Sequence, residues 1–391
     1  MKRIIGIVLV LWLILPAKAQ NSEDLHFSLL TVKPRSNEVY TLFGHTALRM
    51  HDSAENLDVV FNWGTFSFDE PNFIFRFLKG ETDYFLSLSD YDSFCSSYEY
   101  SQSTVIEQEL NLTSEQKTEL FSLLDENYRT ENREYRYNFL FDNCTTRVRD
   151  LIEIVCKDNL QYPAQGEKTT LRTLIHSCTD PYPWLTFGID LLVGSGADSL
   201  VYLRQELFLP EGLMNVLDQT TVARNGQTQS IVLSKETIID TGEEPVSASH
   251  FWTHPMTLGI CLFILCIAFA YWMIRTKRYN QSLFYVIFLL AGLAGCLVAF
   301  MTFFSVHPCM FPNWNIIWLH PLHILTFCGC FFRKRKPLFR WYHRINALLL
   351  ILLLAAWFLI PQSINIASIP FILCLLLGSG YWLYTDKLIR K

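Results

Sequence analysis

The 391-residue chain shows no internal repeat and no low-complexity tract, which sets aside solenoid and disordered-linker architectures. Positive charge is scarce in its first part: from Gln20 to His250 there are 17 Lys and Arg against 36 Asp and Glu, a net charge of −19. A surface this acidic repels nucleic acid and other anionic polymers, so neutral, zwitterionic or cationic partners are expected. The same stretch lacks the paired Cys/His spacings of zinc sites, and no metal is expected. Lys and Arg are also missing from residues 305–314 and 361–366, two short stretches between apolar runs.

What is present begins with Met1-Lys2-Arg3, an apolar run from Ile4 to Leu15, and Pro16-Ala17-Lys18-Ala19-Gln20. A basic start, a short hydrophobic stretch and an A-x-A site predict a secretory signal cleaved after Ala19. An uncleaved anchor is the alternative, but the run falls well short of the ~20 residues that span a bilayer. No Cys follows the cleavage site, so the mature chain is not expected to be a lipoprotein itself.

After Pro255 the composition changes abruptly, with apolar runs near 256–274, 283–304, 315–332, 345–360 and 367–385. Each approaches the length of a membrane span, although His320, Pro321 and His323 interrupt the third. Arg275, Lys277 and Arg278 follow the first run, Arg333 to Lys336, Arg340 and Arg344 the third, and Lys387, Arg390 and Lys391 the fifth. If residues 20–250 are exported, all three basic clusters fall in the cytoplasm, as the positive-inside rule requires. The expected plan is therefore a signal at 1–19, an extracytoplasmic domain at 20–250, and a bundle of about five transmembrane helices at 251–391. Polar residues near the outer side of that bundle, His307, Asn313, Asn315, His320, His323, Gln362 and Asn365, mark either a functional site or interfacial and interhelical hydrogen bonding.

In the exported part, Leu25–Pro34, Val39–Met50 and Leu57–Trp63 read as strands, and Phe73–Leu78 as a short helix ending at Gly80. Thr113-Ser114-Glu115-Gln116 is a capping box that opens a helix to Tyr128, and another helix starts near Asn143. Residues 222–250 read as a polar connector with some strand content.

Two segments carry chemistry. Phe43-Gly44-His45-Thr46 puts a His at a strand start, and Asp142-Asn143-Cys144-Thr145 puts a Cys at a helix N-terminus. There the unpaired N–H groups and the positive end of the dipole favour a thiolate. An imidazole nearby can take the thiol proton and return it to a leaving group. Asn62 or Asp58, on one face of the next strand, could orient that imidazole. The alternative for Cys144 is a disulfide with Cys95, Cys156 or Cys178 in an oxidising compartment. Tyr40, Asp142, Arg147 and Arg149 could shape a site or simply pack and form ion pairs.

A His-bearing strand followed about one hundred residues later by Asn-Cys resembles the circularly permuted NlpC-like, papain-related group that includes lecithin:retinol acyltransferase. Gly44 to Arg49, Val60 to Phe66, Tyr137 to Asp150, Phe208-Leu209-Pro210 and Asn313 to Leu322 together are similar to the Lnb family. That resemblance implies an α+β, permuted papain-like domain and a lipoprotein N-acyltransferase of the inner membrane. It implies Cys144, His45 and Asn62 as catalytic residues. Tyr40, Asn143, Arg147, His307, Asn313 and Asn315 are then candidates for substrate binding. The implied partners are a phospholipid acyl donor and the lipidated N-terminus of lipoproteins at the membrane, with no nucleic acid, cofactor or metal. A cell-wall cysteine peptidase or amidase, and a non-catalytic membrane scaffold, are the competing readings.

Overall fold

The computed structural model describes residues 24–35, 38–69, 71–242, 251–329 and 336–390, so the expected signal segment lies outside the described residues. Strands β1 (Leu25–Val32), β2 (His45–Asp52) and β3 (Leu57–Thr65) form an antiparallel meander, with Val32 opposite His45 and Leu48 opposite Phe61. With β4 (Asp83–Asp90), β5 (Val105–Leu110), β6 (Glu134–Arg136) and a late strand, Val232–Ile239, they make a seven-stranded antiparallel sheet. A second sheet joins β7 (Leu160–Gln161), β8 (Thr221–Arg224) and β9 (Gln227–Ser230). The N-terminal part is thus mixed α+β, as expected.

Alternation along β1 decides which face each residue serves. Phe27 and Leu29 enter the larger core with Leu48, Phe61 and Trp63, while Leu30 and Val32 point to the opposite face, toward Ala47, Val60 and Phe94. Both faces are covered, which is why Leu29-Leu30 reads as a continuous apolar run. The short helix α1 (Phe73–Lys79) ends at Gly80 as expected, and α2 (Tyr91–Tyr100) covers the smaller core. Helix α3 (Ser114–Tyr128) opens on the Thr113 capping box, with Thr113 Oγ1 accepting from Gln116 N. Helix α4 (Cys144–Cys156) packs on β2 and buries Val148, Ile152 and Val155. Truncating Ile152 to Ala would leave a cavity worth ~2–5 kcal/mol.

One expected strand begins later than its sequence suggests. Val39–Phe43 is a 3-10 turn in which Thr41 Oγ1 donates to Arg35 O and Glu38 O, and the strand starts only at His45.

Helices α5 (Leu171–Thr179), α6 (Pro183–Leu192), α7 (Leu203–Glu206) and α8 (Pro210–Leu217) complete the N-terminal part. The membrane part holds α9 (Pro255–Arg275), α10 (Ser282–Phe303), α11 (His323–Gly329), α12 (Lys336–Ala355) and α13 (Ser368–Arg390). Among the described residues four helices, not five, are long and apolar enough to cross a membrane: α9, α10, α12 and α13. The third apolar run is instead, among the described residues, a 3-10 turn (Trp314–Ile317), an irregular passage through Pro321, and α11. Proline cannot continue the backbone ladder, and the passage is sheltered by protein, the setting in which irregular backbone is tolerated at such depth. Gly295 of α10 makes the shelter close, since a Cβ there would stand 2.6 Å from His320 C. His323 bonds Trp318 O at 2.8 Å and the Tyr342 hydroxyl at 2.5 Å, so this histidine serves contacts within the bundle.

Candidate active site

The start of α4 is fixed by Asn143. Its Oδ1 accepts from Thr145 N and Thr146 N, both at 2.9 Å, and its Nδ2 donates to Phe139 O at 2.9 Å and Phe208 O at 3.0 Å. These four bonds occupy the amide, so Asn143 is a helix cap that positions Cys144 and has no group left for substrate. The Phe208 bond also explains why Phe208-Leu209-Pro210 sits in the site's neighbourhood despite its distance in sequence.

Cys144 therefore begins the helix beside the start of β2, where His45 stands. Its thiol lies 3.9 Å from Thr145 Oγ1, whose hydroxyl bonds Thr46 Oγ1 at 3.1 Å, so the thiol sits close to the His45 imidazole and the backbone N–H of Thr46. Burial pushes the thiol pKa up; the His45 charge and hydrogen bond, then the Thr46 and Thr145 groups, outweigh it and hold the thiol below its ordinary value. For His45, burial pushes down while the Cys144 charge and hydrogen bond and the bond to Asn62 push up, and the net displacement is upward. Opposite displacements of two neighbouring groups favour the thiolate–imidazolium form.

His45 Nε2 lies 3.3 Å from Asn62 Oδ1, and Asn62 Nδ2 donates to Val60 O and Ser89 Oγ, each at 3.3 Å. Asp58 points elsewhere, forming a two-pronged pair with Arg49 at 2.8 and 2.6 Å. The described cysteines are free, so no disulfide engages Cys144. A cleft of about 380 Å³ opens beside His45, Asn62 and Gly64 and is lined by Ser87, Ser89, Ser93, Ser97 and Tyr98. Gly64, at φ +90°, lies between the cleft and Cys144: a Cβ there would lie 3.9 Å from Cys144 Cβ and 3.6 Å from the Tyr137 ring, and its left-handed backbone favours glycine. Thr46 N–H, Gly64 and the serines were not singled out by sequence, since a backbone donor and a scattered serine set have no local signature.

The remaining expected site residues are dispersed. Tyr40 is exposed and meets Phe66 edge-on at 6.1 Å. Arg147 pairs with Asp142 at 2.5 and 2.7 Å and lies over the Tyr135 ring. His307 Nε2 bonds Phe77 O at 2.7 Å, seating α1. Asn313 and Asn315, candidates for substrate binding or for interhelical hydrogen bonding, are buried and clamp α6. Asn313 Nδ2 donates to Leu191 O and Leu192 O, both at 2.9 Å, and Asn315 Nδ2 to Asp190 O at 2.8 Å. Gln362 Nε2 donates to Val193 O and Asn365 Nδ2 to Asp190 Oδ2. Polar side chains at the membrane rim here satisfy the backbone ends of a docked helix.

Residues 17–177 match the Lnb N-terminal periplasmic domain, and residues 247–388 match the Lnb transmembrane domain. The chain belongs to the Lnb family. Membership gives it an enzymatic role in lipoprotein-related acyl transfer in general, and makes it a multi-pass inner-membrane protein with a periplasmic N-terminal domain. Neither a curated protein nor a solved structure matches the chain.

Proposed function

We propose that this Lnb-family protein is a lipoprotein N-acyltransferase that moves a fatty acyl chain from a phospholipid to the α-amino group of a diacylglyceryl-cysteine through a thioester on Cys144. The observation that carries the reading is the placing of Cys144 at a helix N-terminus beside the start of the strand that bears His45, with the thiol pKa lowered and the imidazole pKa raised. The strand-borne His preceding the helix-borne Cys is the order of permuted NlpC-like enzymes, and we read the domain as one of them.

His45 accepts the thiol proton as the thiolate attacks the ester carbonyl of the donor. The tetrahedral oxyanion meets the backbone N–H of Cys144, which lies at the first helical position and is not one of the two that Asn143 caps. Collapse breaks the ester C–O bond, and His45 returns its proton to the departing lysophospholipid oxygen. The lipoprotein amine then attacks the thioester, His45 takes a proton from the nitrogen, and the sulfur leaves and is reprotonated. Asn62 orients the imidazole through Nε2. The acidic domain attracts a cationic N-terminus.

Mass spectra of lipoproteins from cells carrying Cys144→Ala as the sole form should lack one acyl chain relative to wild type. Purified wild type, with phospholipid and no acceptor, should carry an acyl group on Cys144. Full acylation in the variant would overturn the thioester route, and acyl-enzyme without lighter lipoproteins in the variant would point to a lipase.

A further inference from the structure

Helix α1 presents an apolar face that the other described residues leave largely uncovered. Ile74 is 75 % exposed, Phe75 56 % and Phe77 46 %, and Phe68 just before the helix is 65 % exposed. The helix's two cations are turned to the protein: Arg76 reaches Glu81 O and Asp83, and Lys79 pairs with Glu81 at 2.7 Å. Three rings and an isoleucine in water would be costly for an isolated domain. Their position explains them. Phe75 lies 5.8 Å from Phe300 near the outer end of α10, Ser305 Oγ donates to Leu78 O, and Val306 N donates to Lys79 O. The helix is therefore held at the C-terminal end of α10, one of the helices long and apolar enough to cross a membrane.

From this ledge an aromatic tier runs inward to the thiol. Phe73 stacks on Phe66 at 5.7 Å, Phe66 meets Tyr84 at 5.0 Å, and Tyr84 stacks on Tyr137 at 4.2 Å. Tyr137 is the ring that flanks Gly64 next to Cys144. We propose that α1 and Phe68 dip into the outer leaflet and that the tier from Phe73 to Tyr137 carries an acyl chain of a bilayer phospholipid from the leaflet to Cys144. The inference rests on the acyl-transfer reading and adds the route its donor takes. A chain drawn along rings stays out of water, whereas a chain lifted through solvent loses its burial methylene by methylene. The ester of that chain then arrives beside the serine-lined cleft, which suits a polar head group.

The test uses the full chain in vesicles of phosphatidylethanolamine bearing a diazirine on one acyl chain. Irradiation should attach lipid to residues 66–79 in wild type and equally in Cys144→Ala, because docking precedes chemistry. The pair Ile74→Glu and Phe75→Glu should lower attachment there about tenfold and slow acylation of Cys144, while lipid attachment to α9 persists and reports an intact bundle. No side chain of α1 is buried, so these changes do not reach the core. Lipid found on α9 to α13 alone would overturn the ledge even if Cys144 becomes acylated. Lipid on residues 66–79 with Cys144 never acylated would leave the ledge standing and overturn the acyl-transfer reading instead.

Discussion

The buried polar groups around Cys144 and those around Asp190 differ in how their charges are met. At Asp190 a carboxylate 1 % exposed receives Arg172 at 2.7 Å, His176 at 2.9 Å and Asn365 at 2.9 Å. Arg172 goes on to Asp198 and to the carbonyls of Val193 and Gly194. Gly194 N and Ser195 N in turn bond Cys309 O and Pro312 O of the membrane part. At Cys144 the charged forms of thiol and imidazole depend chiefly on each other, and an open cleft adjoins His45. Closed networks hold elements together, whereas a pair left to compensate itself beside a cavity can exchange a proton with something that enters.

The first way to break this contrast is Arg172→Ala. Two carboxylates, Asp190 and Asp198, would lose their buried partner, and unfolding of the detergent-solubilised protein should become easier by ~3–5 kcal/mol. Alkylation of Cys144 by iodoacetamide, measured at a temperature where the variant is still folded, should keep its wild-type rate. An undiminished stability would show that the network is not the joint between the two parts.

The contrast also explains what was legible in the sequence. Local signals gave α1 with Gly80, the Thr113 capping box, and the Asn143–Cys144 helix start, because a cap and its helix lie within a few residues. The thiol–imidazole pair was legible through its residue types and their placement on element ends. The clamp was not: Asn313 and Asn315 find partners more than 120 residues away, and only docking of α6 reveals that their amides answer backbone carbonyls. The third span failed as a continuous helix at the interruption by Pro321 that the sequence already displayed; the close approach of Gly295 to His320, which shelters the break, had no sequence signal. Asn62 and Asp58 share a strand face. What separates them is the cross-strand Arg49, which takes Asp58 and leaves Asn62 for His45.

That separation supplies the next test. Removing the amide in Asn62→Ala deletes one of the groups that raise the His45 pKa, so the alkaline limb of the activity profile should move to lower pH. The rate at the optimum should fall about tenfold, as expected for losing the group that orients a general base. Asn62→Asp, which keeps an acceptor, should restore the limb toward higher pH. Asp58→Ala should leave the limb where it is, and a shift there would reverse the assignment.

The smallest expected effect separates the two clusters by pH. His176 has its pKa raised, first by the hydrogen bond to Asp190, against burial, and further by the charges of Asp190 and Asp180, with Arg172 opposing. A folded-state pKa above the unfolded value of about 6.5 means that the pair's stabilisation is fully present below 6.5 and is lost as pH rises through the folded value. Thermal unfolding temperature should therefore decline gently on the alkaline side, and His176→Gln should flatten that decline. The alkaline limb of acyl transfer belongs to His45 and should survive in His176→Gln, just as the decline in stability should survive in Asn62→Ala. If either variant moves both limbs together, the clusters are coupled through the fold, and docking of α6 sets the protonation of the thiol site as well as the joint.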